Sequence, residues 1–328
     1  MSDVGVLVPS KLHGVDPDET IALAKRAENA GFHSIWKGET SAMNTAMLLT
    51  AIARETESVR IGTAILNVYS RSPTLLAMSI ATLDELSDGR AILGLGTSSK
   101  TIVEQFHGQP YTAPLRRLRE AIEIVREASA HERFEYDGEI FEVGPYTRQF
   151  STVQEEIPIF NAALGETNRE LTSEFANGWI PLFIPKRAME DEITEMRRGV
   201  ESNGRSPDEF TVAPFIPAAM AEDTETAKRR VKGWIAQEMA MGYNRALERY
   251  GFGAAANKAA KRWRAGDREA ASESISDEIV DEFAIFGTPS EFTDDLSEFQ
   301  AAGVDLPILW PAPQATADEF RLMIDEAV

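Results

Sequence analysis

Residues 59–73 read Val-Arg-Ile-Gly-Thr-Ala-Ile-Leu-Asn-Val-Tyr-Ser-Arg-Ser-Pro, and this stretch decides the fold class. Its first seven residues form a mainly apolar run with the length and composition of a buried β-strand. A helical pattern begins at Pro73, and a second apolar run, Ala91–Leu95, follows it. Two buried strands joined by a helix indicate a βαβ unit, in which the strands are parallel.

The same alternation extends outward from this unit toward both ends of the chain. It predicts an α/β protein in which eight strands with intervening helices close into a (β/α)8 TIM barrel, as one domain over residues 1–328. The predicted strands are Val4–Pro9, Phe32–Lys37, Val59–Ile65, Ala91–Leu95, Ile157–Ala162, Trp179–Phe183, Thr211–Ile216 and Val304–Leu309.

The first predicted helix has local signals at both of its ends. Asp16 is a favourable N-cap, Pro17 suits the first helical position, and Glu19 occupies the position of a capping-box partner. Gly31 directly follows Ala30 and is the residue type that most often ends a helix. We therefore predict a helix that opens at Asp16 and runs to Ala30.

Two segments depart from the simple repeat. Phe134–Phe141 alternates around Asp137-Gly138, a dipeptide that supplies positive φ for a tight turn, so it predicts a small hairpin before strand five. The stretch from about 236 to 282 is helical, polar and alanine-rich, and is longer than one crossover needs. We interpret it as an insertion after strand seven that covers the barrel mouth or an oligomer contact.

Charge and composition limit the classes of partner. The formal net charge is -20 and the pI is near 4.7, which disfavours nucleic acids and anionic membranes as partners. A small molecule is the expected ligand. The acidic residues are spread along the chain, a pattern that resembles proteins of salt-loving archaea, although an ordinary acidic surface has the same composition.

Cysteine and histidine content argue against a metal site. The chain has no cysteine, which excludes disulfides, thiolate metal sites and iron–sulfur clusters. The four histidines, His13, His33, His107 and His131, lie far apart in sequence and fit surface or packing positions. No apolar stretch approaches the roughly 20 residues that span a bilayer, and the first residues lack a signal-peptide pattern. We therefore expect a cytoplasmic protein.

The segments after the predicted strands carry the candidate chemistry, because barrel enzymes place their sites at the carboxyl ends of the strands. Small residues in Gly94–Lys100 and Asn161–Asn168 allow backbone amides to approach an anionic ligand. The loop within Gly62–Pro73 stays apolar and suits a flat ligand. None of these segments has the dinucleotide-binding glycine spacing, so a Rossmann fold is a poor fit.

Several segments also carry a family resemblance that spans nearly the whole chain in order. They resemble the F420-dependent methylenetetrahydromethanopterin reductases of the luciferase-like superfamily. The block around strands three and four is specific to the F420-using branch, and the others support the superfamily only. The matching segments are Asn67–Pro73, Ser79–Arg90, Gly94–Gly96, Glu156–Ile159, Ala176–Gly178 and Phe286–Phe292.

The resemblance implies hydride transfer between the deazaflavin coenzyme F420 and a small organic substrate, such as a methylene-tetrahydropterin or a folate. It also implies a cis peptide bond between Ala64 and Ile65, in a bulge that backs the deazaflavin. Residues 163–165 match the phosphate loop of the relatives. The residues implied to bind the cofactor are Glu39, Ala64, Ile65, Leu66, Asn67, Thr97, Ser98, Ser99, Ala163, Leu164 and Gly165.

Three positions depart from the family patterns. Thr40 stands where the sugar-phosphate dehydrogenase branch has a catalytic histidine, and Ser99 stands where that branch has a glutamate. That reaction is therefore not expected here. The methanopterin reductases carry a carboxylate near the position of Leu7, so the pterin-type substrate is not fixed by the resemblance.

Glu39 is the candidate catalytic group, for tuning the cofactor or relaying a proton. A partly buried carboxylate can have its pKa raised toward neutrality, which such a role needs. The alternative is a structural carboxylate that caps the following helix. His13 and Lys37 are weaker candidates for contacts with substrate or the cofactor tail, and each also fits an exposed loop residue.

Two other functions fit the same fold. An FMN-dependent luciferase-like monooxygenase is one, because flavin and deazaflavin have a similar footprint. A barrel without catalysis, which binds a flavin-like molecule or assembles with partners, is the other. The resemblance also implies a homodimer or homotetramer.

Overall fold

The structure is a computed structural model that describes residues 3–9, 14–40, 42–313 and 315–328, so the candidate His13 lies outside the described residues. Its strands are β1 Gly5–Leu7, β2 Ser34–Lys37, β3 Arg60–Thr63, β4 Leu66–Asn67, β5 Ala91–Gly96, β6 Arg133–Asp137, β7 Glu142–Thr147, β8 Ile159–Asn161, β9 Gly178–Trp179, β10 Thr211–Val212, β11 Phe215–Met220, β12 Ile285–Gly287 and β13 Ile308–Pro311. Its α-helices are α1 Pro17–Ala30, α2 Thr45–Glu55, α3 Pro73–Ser87, α4 Pro114–Ala130, α5 Glu166–Phe175, α6 Lys186–Ser202, α7 Thr224–Glu238, α8 Asn244–Arg249, α9 Gly253–Arg264, α10 Arg268–Glu273, α11 Asp277–Phe283, α12 Pro289–Ala301 and α13 Ala317–Glu326.

The chain forms two compact units. The central unit comprises His33–Ile180 and Met196–Thr211. The terminal unit comprises Met1–Phe32, Pro181–Glu195 and Val212–Val328. The prediction of a single domain is not tested by this division and stays a prediction.

In the central unit the strands form a parallel sheet in the order β9-β8-β5-β3-β2, with β4 also paired to β5. Helices α2, α3 and α4 pack beside one another along this part of the chain. Parallel strands covered by helices must be buried on both faces, which explains why their sequences are apolar throughout. The βαβ unit predicted from residues 59–95 is confirmed.

Glycines make room for the large side chains at the centre of this sheet. The Trp36 ring is fully buried and lies across Gly62, where an added Cβ would come within 2.2 Å of Trp36 Cε3. The Phe160 ring stacks 5.8 Å from that of Trp36 and presses on Gly178 in the same way. Tight packing of this kind leaves no space for a methyl group.

In the terminal unit β1, β13, β11 and β12 form a second parallel arrangement in that order. Predicted strand seven is split into β10 and β11, because Pro214 between them lacks the N–H that a ladder needs. Predicted strand eight begins later, at Ile308, since Asp305 accepts a hydrogen bond from Val212 N at 2.7 Å and holds residues 304–307 as a loop. Strand β12 was not predicted, because three residues are too short to form a pattern.

The predicted boundaries of α1 are confirmed. The Asp16 side chain accepts from Glu19 N at 2.8 Å, and Gly31 ends the helix in the left-handed region with φ of 103°. The capping box is only half formed, because the Glu19 carboxylate instead accepts from Arg321 at 2.7 Å. A competing ion pair therefore replaces the second capping contact.

The predicted hairpin exists, but its turn is built differently. Strands β6 and β7 pair antiparallel, and the connection covers residues 138–141 without positive φ at Gly138. The buried Glu120 carboxylate accepts from the backbone amides of Glu139, Ile140 and Phe141 at 2.9 to 3.2 Å. A side chain of α4, and not the Asp-Gly dipeptide, organises this turn.

The segment between β11 and β12 contains helices α7 to α11, with a kink between α7 and α8 where Gly242 has a non-helical φ of 115°. Its helical character agrees with the sequence pattern, whereas its description as an insertion that covers a barrel mouth stays a prediction. Among the described residues, no helix is long and apolar enough to cross a membrane.

Candidate functional site

The loop after β3 exposes a small apolar surface. From Ile61 to Tyr69 every residue is buried except Ala64 and Ile65, which are partly exposed. The peptide bond between these two residues is cis, as the resemblance implies. Of the other implied contacts in this loop, Leu66 is only 1% exposed and so presents little surface of its own.

Close backbone contacts bring the loops after β2, β3 and β5 together around this pair. An added Cβ on Gly94 would lie 1.9 Å from Thr63 O, and the Thr63 hydroxyl donates to Gly94 O at 2.8 Å. An added Cβ on Gly96 would lie 3.2 Å from the Ile65 side chain and 3.4 Å from Ala162 Cβ. Ile65 therefore faces the loop that follows β8.

The side chain of Asn67 has a fixed orientation. Its Oδ1 accepts from the backbone amides of Tyr69 and Ser70 at 3.0 and 2.8 Å. With the oxygen held in this way, the amide nitrogen is the group left to donate. It lies 3.5 Å from His107 Nε2, a residue that the sequence gave no reason to place here.

Glu39 is an ion-paired carboxylate that also caps the first amide of α2, as the structural alternative predicts, and its catalytic role stays a prediction. It pairs in a bidentate manner with Arg71 and accepts from Thr45 N, the first amide of α2, at 3.1 Å. Burial acts to raise the pKa of Glu39, but the hydrogen bonds and charge of Arg71, the Thr45 amide and the charge of His107 outweigh it, and the pKa is lowered. The expected raised pKa is therefore wrong, because sequence alone did not place Arg71 beside it.

Lys37 is buried, and not an exposed loop residue. Only 4% of its surface is exposed, and its ammonium donates to Gly38 O at 3.2 Å. Burial lowers the pKa of Lys37 to about 8, against the opposing charge of Glu39. Thr45 also donates to Gly38 O, so the lysine lies near the start of α2.

The hydroxyl residues after β5 are half-buried. Ser98 takes a left-handed φ of 57°, and its carbonyl accepts from Tyr111 at 3.4 Å. The Ser99 hydroxyl accepts a hydrogen bond from Ile102 N at 3.3 Å, where a short π-helix begins. This hydroxyl oxygen is therefore already hydrogen-bonded within the protein. Thr97 makes one weak contact, at 3.5 Å, to Ser98 O.

The implied phosphate loop lies at the start of α5. Gly165 is the N-cap, and no side chain caps the first amides of this helix. Trp179 Nε1 donates to Ala163 O at 2.8 Å and fixes the loop, whereas Leu164 is 39% exposed. Uncapped amides at a helix N-terminus form a site for an anion.

The implied cofactor residues thus all lie in the central unit. Leu7, one of the departures from the family patterns, is buried in β1 of the terminal unit, and Thr40 is exposed. Arg71 and His107 were missed as functional candidates. Arg71 stood within the recognised block and could have been found there, whereas nothing in the sequence distinguished His107. Among the described residues, no group of histidines and carboxylates can hold a metal ion.

Comparison with known proteins identifies the family. The sequence profile of the luciferase-like monooxygenases matches residues 2–306. The chain belongs to this family. Among luciferase-like relatives, the chain is 30% identical to a 5,10-methylenetetrahydromethanopterin reductase of Archaeoglobus fulgidus, with 85% of each chain covered. It is also 30% identical to a protein of Mycobacterium tuberculosis named provisionally as a coenzyme F420-dependent oxidoreductase, over 90% of this chain and 92% of that protein.

A solved luciferase-like structure shows the same fold. It is the coenzyme F420 dependent tetrahydromethanopterin reductase from Methanopyrus kandleri, with a TM-score of 0.88 and 24% identity. The match covers 99% of this chain and 98% of that one. The α/β barrel class predicted from the sequence is therefore confirmed.

Proposed function

We propose that the protein is a coenzyme F420-dependent oxidoreductase that transfers a hydride between the deazaflavin and a small organic substrate. One observation carries this proposal: neighbouring loops of the central unit combine the partly exposed Ala64–Ile65 pair with an uncapped helix start at Gly165. A ligand with a flat apolar ring and an anionic tail matches both features. The names of the relatives favour F420 among such ligands.

The residues present fit this cofactor. Ala64 and Ile65 offer a small apolar surface for a ring, and Gly96 lets the Ile65 side chain lie directly against the β5 backbone. The Asn67 side chain is only 1% exposed and its amide nitrogen lies 3.5 Å from His107 Nε2, so it would donate to a ring oxygen or nitrogen with the second of its two hydrogens. The open amides after Gly165 and the Thr97 and Ser98 hydroxyls are each suited to a phosphate, so a chain of net charge -20 still offers donors to an anionic molecule.

The chemistry then divides between cofactor and protein. F420, when bound, supplies the hydride donor or acceptor, so the protein has to bind, orient and shield the reactants. Asn67 is held by the amides of Tyr69 and Ser70 and serves orientation. Glu39 and Arg71 hold the loops after β2 and β4 together beside the cofactor residues. The reductase names favour a methylene-tetrahydropterin as substrate, and a folate is the related alternative that the sequence left open.

Cofactor titration tests the proposal. We expect oxidised F420 to bind the purified protein with micromolar affinity, followed by its fluorescence, and FMN to bind much more weakly. The Asn67→Asp variant keeps the oxygen that accepts the Tyr69 and Ser70 amides but loses the donor, so its affinity for F420 should fall about tenfold. Asn257→Asp, at an exposed contact with Asn244, is the matched control.

The alternative functions predict different titration results. A luciferase-like FMN-dependent monooxygenase would bind FMN tightly and F420 weakly, and the family description keeps this as the second candidate. Micromolar affinity for neither cofactor would contradict both enzymatic functions and leave a non-catalytic barrel.

Assembly, location and salt adaptation complete the proposal. We propose a cytoplasmic homodimer or homotetramer adapted to high salt, which acts on a small molecule and not on nucleic acid. The family resemblance supports the oligomer, and the net charge of -20 supports the salt adaptation and disfavours nucleic acid as a partner.

A further inference from the structure

Two side chains hold the backbone of the implied phosphate loop in a fixed direction. Trp179 Nε1, in β9, donates to Ala163 O at 2.8 Å, and Asn168 Nδ2, in the first turn of α5, donates to Ala162 O at 3.2 Å. Trp179 is 1% exposed and Ala163 has no exposed surface, so the first of these bonds lies in the interior of the central unit. The Ala163 carbonyl therefore points into the protein.

Neighbouring polar groups fix the orientation of the Asn168 side-chain amide. The Thr172 hydroxyl donates to Asn168 O at 2.6 Å, so its oxygen is left to accept from Asn161 Nδ2 at 2.8 Å. The same Asn161 nitrogen donates to Asn168 Oδ1 at 3.0 Å. Because the Asn168 oxygen accepts there, the Asn168 nitrogen is the group that donates to Ala162 O.

The indole ring of Trp179 is itself held in place. The Arg169 guanidinium lies 5.1 Å from the centre of this ring, and Arg169 is only 7% exposed. A cation over an indole face is an attractive contact that is strengthened by burial. On the strand side, Trp179 pairs with Asn161 of β8. The indole N–H therefore has a defined direction, toward Ala163 O.

The direction of the Ala163 carbonyl determines that of the next backbone amide. The Ala163–Leu164 peptide bond is trans, and in a planar trans peptide the C=O and the N–H point in opposite directions. Since the carbonyl points inward to Trp179, the Leu164 N–H points outward. Leu164 is 39% exposed, and within the described part of the chain nothing accepts a hydrogen bond from its N–H.

The Leu164 amide directly precedes other free donors. Gly165 is the N-cap of α5, and no side chain caps this helix, so the amides of residues 166–168 have no intrahelical partner either. Successive free amides of this kind bind phosphate oxygens. The bond from Trp179 thus adds one outward donor to those that the helix supplies.

We infer that Trp179 is a positioning residue for the anionic tail of the cofactor, because its indole N–H aims the Leu164 amide at the phosphate. Trp179 acts through the loop and does not itself touch the cofactor. A phenylalanine would fill most of the same volume, so packing alone does not require the indole nitrogen. The inference rests on the proposed function, since F420 supplies the phosphate.

Titration with two ligands tests the inference: F420, and the tail-less deazaflavin, which has the same ring and only the ribityl chain. Trp179→Phe keeps an aromatic ring but removes the donor to Ala163 O. We expect it to weaken F420 binding about tenfold, because the Leu164 amide loses its fixed direction toward a charged acceptor. Affinity for the tail-less deazaflavin should not change. A merely structural role of Trp179 would weaken both ligands equally.

Leu164→Pro removes the aimed donor without altering Trp179, because proline has no N–H. It should lower F420 affinity about as much as Trp179→Phe does. The double variant should lose no more affinity than either single variant, since the indole acts through that one amide. Near-ultraviolet circular dichroism establishes that each variant keeps its aromatic packing.

Trp36→Phe is the matched control. It removes an equally short buried indole hydrogen bond in the same unit, from Trp36 Nε1 to Ser34 Oγ at 2.8 Å, and should leave both affinities unchanged. Equal losses for the two ligands in Trp179→Phe, an unchanged F420 affinity, or additive losses in the double variant would each overturn the inference.

The proposed function can fail separately. If the wild type binds FMN in place of F420, the proposed function is wrong, and the same comparison with FMN and riboflavin decides the role of Trp179. Wild-type protein that binds none of the four ligands would overturn both.

Discussion

At the scale of single residues, the Glu39–Arg71 pair changes the interpretation of the candidate site. Both side chains are about nine-tenths buried, with 8% and 10% of their side-chain surface exposed. Removing one partner of such a buried pair lowers the free energy of unfolding strongly, because the remaining charge has no water to stabilise it. Its role is to fix the loops that carry the implied cofactor residues.

Arg71→Met should therefore destabilise the protein by about 3 kcal/mol at neutral pH. Glu39→Gln in the same chain should restore much of that loss, since it removes the stranded charge. Urea unfolding followed by circular dichroism measures both. The control is Arg26→Met, which breaks an equally bidentate but exposed pair with Asp325 and should change stability little.

The pH dependence of the same pair has a definite sign. The pKa of Glu39 is lowered from 4.5 in the folded protein, so its contribution to stability is present above about pH 4.5 and is lost as the pH falls through the folded value. The difference in unfolding free energy between wild type and Arg71→Met should shrink steadily as the pH is lowered below this point. A difference that stays constant down to pH 3 would contradict the assignment.

At the scale of elements, strand β5 and helix α5 each have a glycine near the site, and the two glycines serve different purposes. Gly94 is needed because the β3 backbone approaches it, and an added Cβ would lie 1.9 Å from Thr63 O. Gly165 starts α5 with an ordinary φ of -81°, and an added Cβ would meet nothing within 4 Å. The first glycine is required for packing, whereas the second keeps a surface open.

Gly94→Ala should consequently cost about 3 kcal/mol, because the backbone of β3 or β5 must move. Gly165→Ala should change stability by no more than about 0.5 kcal/mol. Thermal unfolding of the two variants side by side checks the difference. Similar melting temperatures would mean that β3 and β5 are not packed this closely.

Features set by contacts between residues close in sequence were predicted correctly, and features set by contacts between residues far apart in sequence were not. The ends of α1 were predicted because Asp16 and Gly31 act within one turn of the backbone. The hairpin turn was misjudged because Glu120, from a preceding helix, organises it. The raised pKa expected for Glu39 was wrong for the same reason, since Arg71 lies 32 residues away in sequence. Contacts of that range leave no local pattern.

At the scale of the whole molecule, charge is the dominant property. An excess of 20 negative charges repels itself, and salt weakens that repulsion. Ordinary screening is nearly complete at a few tenths molar salt, where the Debye length is below about 8 Å. A protein adapted to high salt should go on gaining stability beyond this range.

Thermal unfolding in potassium chloride from 0.1 to 3 M tests the adaptation. We expect the melting temperature to rise across the whole range, with the greater part of the rise above 0.5 M. A plateau below 0.5 M would identify an ordinary acidic surface and remove the halophilic part of the proposal. Unfolding by guanidinium chloride cannot replace this measurement, because the denaturant is itself a salt and changes the ionic strength.

The division of the chain also bears on how such a protein can diversify. Every implied cofactor residue falls within His33–Ile180, one uninterrupted stretch of the central unit. A single recombination event that replaced the sequence after Ile180 would leave the coenzyme residues untouched and exchange most of the terminal unit. Gene fragments joined at that point would let one ancestral coenzyme module acquire new specificities without rebuilding its chemistry.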